Sequence, residues 1–174
     1  MIKTIAIVIV VALAAVFGYA ATRPDTFRVQ RTISIKAPPE KILAQVNNFH
    51  DWSNWSPYEK LDPAMQRTFS GATSGPGAVY AWNGNDKAGA GRMEIKQTSP
   101  SKTVIKLDFS KPFESSNVAE FSVDTQGDSS NVTWAMYGPA PYVSKVMGLF
   151  FNMDSMIGKD FEAGLANLKT VTEK

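Results

Sequence analysis

Cysteine is absent from the 174 residues, and histidine occurs once, as His50. Without a thiol the chain forms no disulfide, no thiolate nucleophile and no Cys-based zinc site. A Ser-His-Asp triad, or a metal site that needs imidazole, would have to use His50. Charge of one sign is lacking too. Eighteen Lys and Arg face 16 Asp and Glu, for a net +2. The basic residues are scattered, which argues against a nucleic-acid partner. Phosphate and calcium loops are missing as well. No Lys-Ser/Thr follows Gly75-Pro76-Gly77, and Asp124, Asp128 and Asn131 have the wrong spacing for calcium. No metal, cofactor or catalytic residue is expected from what is left.

What the chain does have is apolar material. Hydrophobic residues make up 44% and charged residues 20%, enough for one well-packed domain plus an appendage. The appendage is residues 1–21. From Ile5 to Ala21 it carries no charge and no polar face, and it is about the length that crosses a bilayer core of roughly 30 Å. Gly18-Tyr19-Ala20 would pass as a signal-cleavage site, but the run is long for a signal peptide, so a membrane anchor fits better. Lys3 and the free amine favour a cytoplasmic N-terminus, whereas Arg23, Arg28 and Arg31 oppose it. The expectation is a single-pass protein of the cytoplasmic membrane with its domain on the outer face. Residues 22–26, containing Pro24, read as a linker.

Beyond the linker, Phe27 to Lys36 alternates as a half-buried strand, with Phe27, Val29, Ile33 and Ile35 on one face. Arg31 breaks the apolar pattern. Pro39 and Glu40 suit the start of a short helix to about Asn47. In Phe49-His50-Asp51-Trp52-Ser53-Asn54-Trp55-Ser56-Pro57, two tryptophans share one face of a helical turn that Pro57 stops. Asp51 is a candidate cap for that turn. Short strands follow at Gln66–Ser70, Ala78–Asn83, Gly91–Thr98, Thr103–Phe109, Asn117–Thr125 and Asn131–Tyr137. Their connections are too short for crossover helices, so the pairing is antiparallel. One long helix from about Tyr142 to Thr170, with a bend near Asn152, closes the chain on an apolar stripe that includes Phe161, Leu165 and Leu168. Asp154 falls on that stripe. Gly158 and Gly164 are expected to let the helix approach the sheet closely.

This order, together with Ile33-Ser34-Ile35-Lys36-Ala37-Pro38-Pro39-Glu40, Trp52-Ser53-Asn54-Trp55-Ser56-Pro57, Gly75-Pro76-Gly77 with Trp82-Asn83-Gly84, Gly89-Ala90-Gly91-Arg92-Met93 and Gly158-Lys159-Asp160-Phe161-Glu162-Ala163-Gly164-Leu165, resembles the SRPBCC superfamily. That superfamily includes the START and birch-pollen-allergen-like domains, and its bacterial polyketide cyclase/dehydrase and lipid-transport branch is the most similar part. The resemblance runs from Phe27 to the C-terminus. It implies an α+β helix-grip fold: an antiparallel sheet of six or seven strands wrapped around a long C-terminal helix, with two short helices after the first strand.

The resemblance also implies an apolar pocket between the helix and the sheet. Trp134 and Met136 share a strand parity and Met147 and Phe150 share a helix face, while Trp55 and Trp82 are placed at the rim. These six are the expected ligand contacts, and a Met-rich wall suits a ligand of irregular apolar shape. Ordinary core packing would use the same residue types. Arg31 and Asp154, each a charge on an apolar face, are expected to pair, because an unpaired buried charge is costly. The expected role is a membrane-tethered carrier of a hydrophobic small molecule or lipid. The alternative is a cyclase or dehydratase acting on an aromatic or isoprenoid substrate, a reading that convergence of Arg31, Tyr58 or Asp154 on a cavity would favour.

Overall fold

The computed structural model describes residues 2–174. Helix α1 (Ile2–Ala21) is exposed along nearly its whole length, and only Ala20 at its end is buried. Seven strands follow: β1 (Thr26–Ile35), β2 (Gln66–Gly71), β3 (Ala78–Asn83), β4 (Ala90–Ser99), β5 (Lys102–Lys111), β6 (Ser115–Gln126) and β7 (Ser129–Pro139). They form one antiparallel sheet in the order β1-β7-β6-β5-β4-β3-β2. The last strand therefore returns to pair with the first. Alternation fixes which residues face inward. Val29, Met136, Ala119, Ile105 and Ile95 line up across five strands as one buried row.

Helix α2 (Pro39–Asn47) opens with Pro39 in its first turn and buries Ile42, Leu43 and Val46. Two 3-10 turns, Phe49–Asn54 and Pro57–Lys60, come next. The tryptophans of the first have a dual role. Trp52 Nε1 donates to the Val46 carbonyl at 3.0 Å, and Trp55 Nε1 donates to the Gln45 carbonyl at 3.3 Å. These carbonyls lie in the last turn of α2, where a helix leaves acceptors without internal partners. The indoles thus cap α2 while their rings enter the core. The cap of the 3-10 turn itself is Asn48, whose side chain accepts from the His50 N–H at 3.1 Å, and not Asp51.

The expected single C-terminal helix is two helices. α3 (Tyr142–Met147) ends at Gly148, and α4 (Met153–Thr172) begins after Asn152, whose side chain accepts from the Ser155 N–H at 2.9 Å. That N-cap starts a new helix where the apolar periodicity alone reads as a bend. α4 crosses the inner face of the sheet at close range. Trp134 stacks on Phe161 with ring centroids 4.1 Å apart and planes 8° apart, and on Phe121 at 5.0 Å. Trp52 and Trp55 meet the Trp134 ring edge-on at 6.4 and 5.6 Å. Gly164 permits this approach, since a Cβ there would lie 2.7 Å from Trp134 Cζ3 and 3.0 Å from Pro57 Cδ.

Gly164→Leu should therefore destabilise the fold by about 1–3 kcal/mol through overpacking. Chemical denaturation of the full chain in detergent would measure it. Unchanged stability would mean that α4 does not press on the Trp134 ring.

Candidate functional site

The two ends of the sheet differ. At one end, β5 and β7 begin and β6 finishes, and α2 with its following turns covers the inner face. Thr103 Oγ1 donates to Asn47 Oδ1 at 2.6 Å and Ser130 Oγ to the Ala37 carbonyl at 2.8 Å, which ties α2 down. Ile35, Ile95, Ile105, Phe121 and Val132 beneath are fully buried. At the other end, β1 begins, β7 and β5 finish, and β6 starts. Here the inner face carries Phe27, Trp82 and Phe109, each only half-buried, above Met93, Leu107 and Met136. Trp82 Nε1 donates to the Ala88 carbonyl at 3.0 Å, and its ring meets Phe109 edge-on at 5.7 Å. The apolar side chains that gather at this open end, the cup, are thus partly exposed, and Ser115 and Asn117 are polar residues on the same face of β6. Asn117 is buried, and its Oδ1 accepts no hydrogen bond from any described residue.

The six residues expected to contact a ligand do not share one cavity. Trp55 is fully buried and Trp134 nearly so, both within the aromatic cluster under α4. Trp55 is therefore a core residue and not a rim residue. Trp82 and Met136 lie in the cup. Met147 and Phe150 lie outside the grip on α3 and the turn after it, exposed by 41% and 68%. Breaking the C-terminal helix at Gly148 separates them from Trp134. Asn117 and Phe109 were not singled out from sequence. The signal for Asn117 was present, because a polar residue sits on the same parity of β6 as Ala119, Phe121 and Val123.

Arg31 pairs with Asp154 as expected, and also with Glu162. Its Nε donates to Glu162 Oε1 at 2.7 Å. Nη1 reaches Asp154 Oδ1 at 3.1 Å and the Gln30 carbonyl at 2.8 Å, and Nη2 reaches Asp154 Oδ2 and the Asp154 carbonyl, both at 3.0 Å. All five guanidinium donors are thereby engaged. Gly158 makes room for them, because a Cβ there would lie 1.9 Å from Nη2. The pair is not buried: the Asp154 and Glu162 side chains are each 60% exposed. It fastens α4 to β1 at the rim and leaves no donor to orient a ligand. The Arg31 hydrogen bond holds the Asp154 carboxyl below the usual carboxylate range. Tyr58 stands elsewhere, edge-on to Trp134 at 6.1 Å, its hydroxyl pushed up by burial and then by the charge of Asp160. His50 stacks on Phe69 at 3.9 Å.

A second charge cluster, partly buried, went unread in the sequence. Glu59 accepts from Arg67 Nε at 2.7 Å and from the Tyr80 hydroxyl at 2.6 Å. Burial foremost, then the Glu59 hydrogen bond, raises the Tyr80 hydroxyl above its ordinary value. The cluster joins the second 3-10 turn to β2 and β3, and its members satisfy one another.

With this geometry in view, the sequence profile of the polyketide cyclase / dehydrase and lipid transport family matches residues 26–173. The chain belongs to that family. Its fold is the helix-grip fold of the SRPBCC superfamily. Solved structures agree. A protein from Chromobacterium violaceum superposes with a TM-score of 0.60 at 11% identity, over 87% of this chain and 99% of its own. DynU16, from the dynemicin biosynthetic locus, gives 0.59 at 14% identity over 87% of this chain and 48% of its own. Ara h 8.0201 gives 0.53 at 12% identity over 84% and 97%. At these identities the likeness is one of fold alone. No curated protein matches this family member by sequence.

The Arg31 tie carries a pH signature. Asp154 is depressed in the folded state, so its stabilising contribution is present above the ordinary carboxylate pKa and is lost as pH falls through the folded value. The melting temperature of the parent should exceed that of Asp154→Asn near neutral pH. The two curves should converge below about pH 4. Parallel curves across that range would overturn the assignment.

Proposed function

We propose that the protein is a membrane-tethered domain that binds a hydrophobic small molecule or lipid in the open end of its grip, without transforming it. The observation that carries this reading is the cup itself. Half-buried Phe27, Trp82 and Phe109 share the inner face of this end with Met136 and Leu107, and the Asn117 carbonyl oxygen is the one buried acceptor on that face without a described partner. An apolar ligand would cover these side chains, and a shift of Asn117, whose oxygen is enclosed here, would let a ligand hydroxyl or N–H supply the missing donor. Trp82 and Met136 are the proposed direct contacts. Trp55 and Trp134 belong to the packed floor, and Met147 and Phe150 to the surroundings of the mouth.

Membership of a family described by both cyclase chemistry and lipid transport is compatible with either activity. The convergence of Arg31, Tyr58 and Asp154 that would favour the enzyme reading is not what supports this site, because Arg31 and Asp154 engage each other at the rim. Tethering is supported by α1, whose 20 residues form a helix apolar enough to cross a membrane. Lys3 and the amino terminus support a domain on the outer face.

The test is a thermal-shift screen of the full chain in detergent against fatty acids, phospholipids, isoprenoids and aromatic polyketides, with native mass spectrometry for a co-purifying molecule. A ligand at a hundredfold excess over its Kd should add about 2.7 kcal/mol of stability. Met136→Trp, which fills the cup, should abolish the gain. Hits that bind this variant as tightly as the parent would place the site elsewhere, and a screen with no hits and no co-purifying molecule would end the carrier reading.

A further inference from the structure

The open end of the sheet is also the end from which α1 leaves, and the two are firmly joined. α1 ends at Ala21 and β1 begins at Thr26. The short stretch between them is held on both flanks. Ala140 donates its N–H to the Asp25 carbonyl at 2.7 Å, and Lys145 Nζ forms an ion pair with the Asp25 carboxylate. Further up α1, the Tyr142 hydroxyl donates to the Phe17 carbonyl at 2.7 Å, and the two rings stack at 6.4 Å. Ala20 is fully buried at the end of an otherwise exposed helix. Helix α3 is thus fixed to the flank of α1 at its last turns.

Depth follows from helix geometry. At about 1.5 Å per residue, a 20-residue helix spans roughly 30 Å, the thickness of a hydrocarbon core. Phe17 precedes the end of α1 by about 6 Å on the same scale. If α1 crosses the bilayer, the ring of Tyr142 lies at the membrane interface, and α3 with it.

What α3 and the turn after it display there is apolar. Val143, Phe150, Phe151 and Met156 are 67, 68, 55 and 59% exposed, with Met147 and Met153 between them. Val146 and Leu149 turn the other way and are half-buried. So many large apolar side chains exposed together would be a liability in water. Beside a membrane span, the arrangement is that of an interfacial amphipathic segment. The loop between β5 and β6 lies at the same end of the sheet, and its Phe113 is 70% exposed.

We propose that α3 and the turn from Gly148 to Asn152 form a second membrane contact: an apolar wedge, docked on the flank of α1, that sits in the interface of the bilayer α1 enters. The proposal rests on the reading of α1 as a membrane span. The domain is then not a ball on a flexible tether. Its open end is pressed to the lipid, and the mouth of the cup meets the membrane directly. A ligand resident in the bilayer reaches Trp82 and Met136 without crossing water.

Because the chain has no cysteine, single cysteines can be introduced and labelled with an environment-sensitive fluorophore in the full-length protein. The positions are Phe150→Cys and Phe151→Cys in the wedge, Val10→Cys in the middle of α1, and Gln126→Cys at the end of β6, at the opposite end of the sheet. After reconstitution in phosphatidylcholine–phosphatidylglycerol vesicles, each label is exposed to lipid-borne nitroxide and, separately, to aqueous iodide. Expected is a blue-shifted emission at 150 and 151, quenched by shallow nitroxide and protected from iodide, with the reverse at 126. Quenching of 150 and 151 by iodide alone, while Val10→Cys responds to nitroxide, would overturn the wedge and leave the anchor standing. Protection of 150 and 151 from both quenchers would assign the patch to a protein interface and overturn the wedge too. Failure of Val10→Cys to respond to nitroxide would remove the anchor reading, and the wedge with it.

Discussion

The contact between the Trp134 ring and the Phe161 ring governs this structure. It brings α4 onto the sheet at stacking distance, and it requires glycine at 164 on the helix side. Trp52, Trp55 and Phe121 close around the same ring. Aromatic pairs of this kind contribute roughly 0.5–1.5 kcal/mol each beyond the area they bury. The consequence is spatial as well as energetic. Five aromatic side chains occupy the volume under α4 where the fold could otherwise hold a ligand, so free apolar surface is displaced toward the end of the sheet that Trp82 and Phe109 line.

The remaining attachments of the helices are polar. The indoles of Trp52 and Trp55 satisfy the last carbonyls of α2, so one motif caps a helix and fills a core. At the rim, Arg31 spends every donor on Asp154, Glu162 and two carbonyls. An exposed ion pair is ordinarily worth little, but a guanidinium with all donors fixed in direction sets the position of α4 along β1. It also withdraws the most conspicuous charge of the inner face from any role in chemistry.

Polarity of the fold from end to end links packing to function. Antiparallel order brings the start of β1, the end of β7 and the β5–β6 loop together, opposite the end that α2 covers. The exit of α1, the α3 segment and the cup therefore share one end. Residues far apart in sequence, Phe17, Phe113, Phe150 and Trp82, come to lie on the side where the chain meets the proposed membrane.

Much of this was legible in the chain itself. Alternation marked the inner faces of the strands, since a pleated strand repeats every two residues and needs no distant information. The partnership of Arg31 and Asp154 followed from the cost of leaving either charge alone on an apolar face. The apolar length of α1 and the helix-grip order were local or sequential properties too. Three things only the tertiary structure decided. Asn152 caps a new helix and splits the C-terminal segment, because a cap competes with helical periodicity on equal local terms and the packing of α3 on α1 settles the outcome. Trp55 and Trp134 fill the interior and do not line a void, because alternation tells which way a side chain points but not whether the rings of other elements will occupy the same space. Asn117 stood out of pattern in the sequence, yet the enclosure of its Oδ1 without a donor depends on its packing over Gly138 of the neighbouring strand, which only the fold brings beside it.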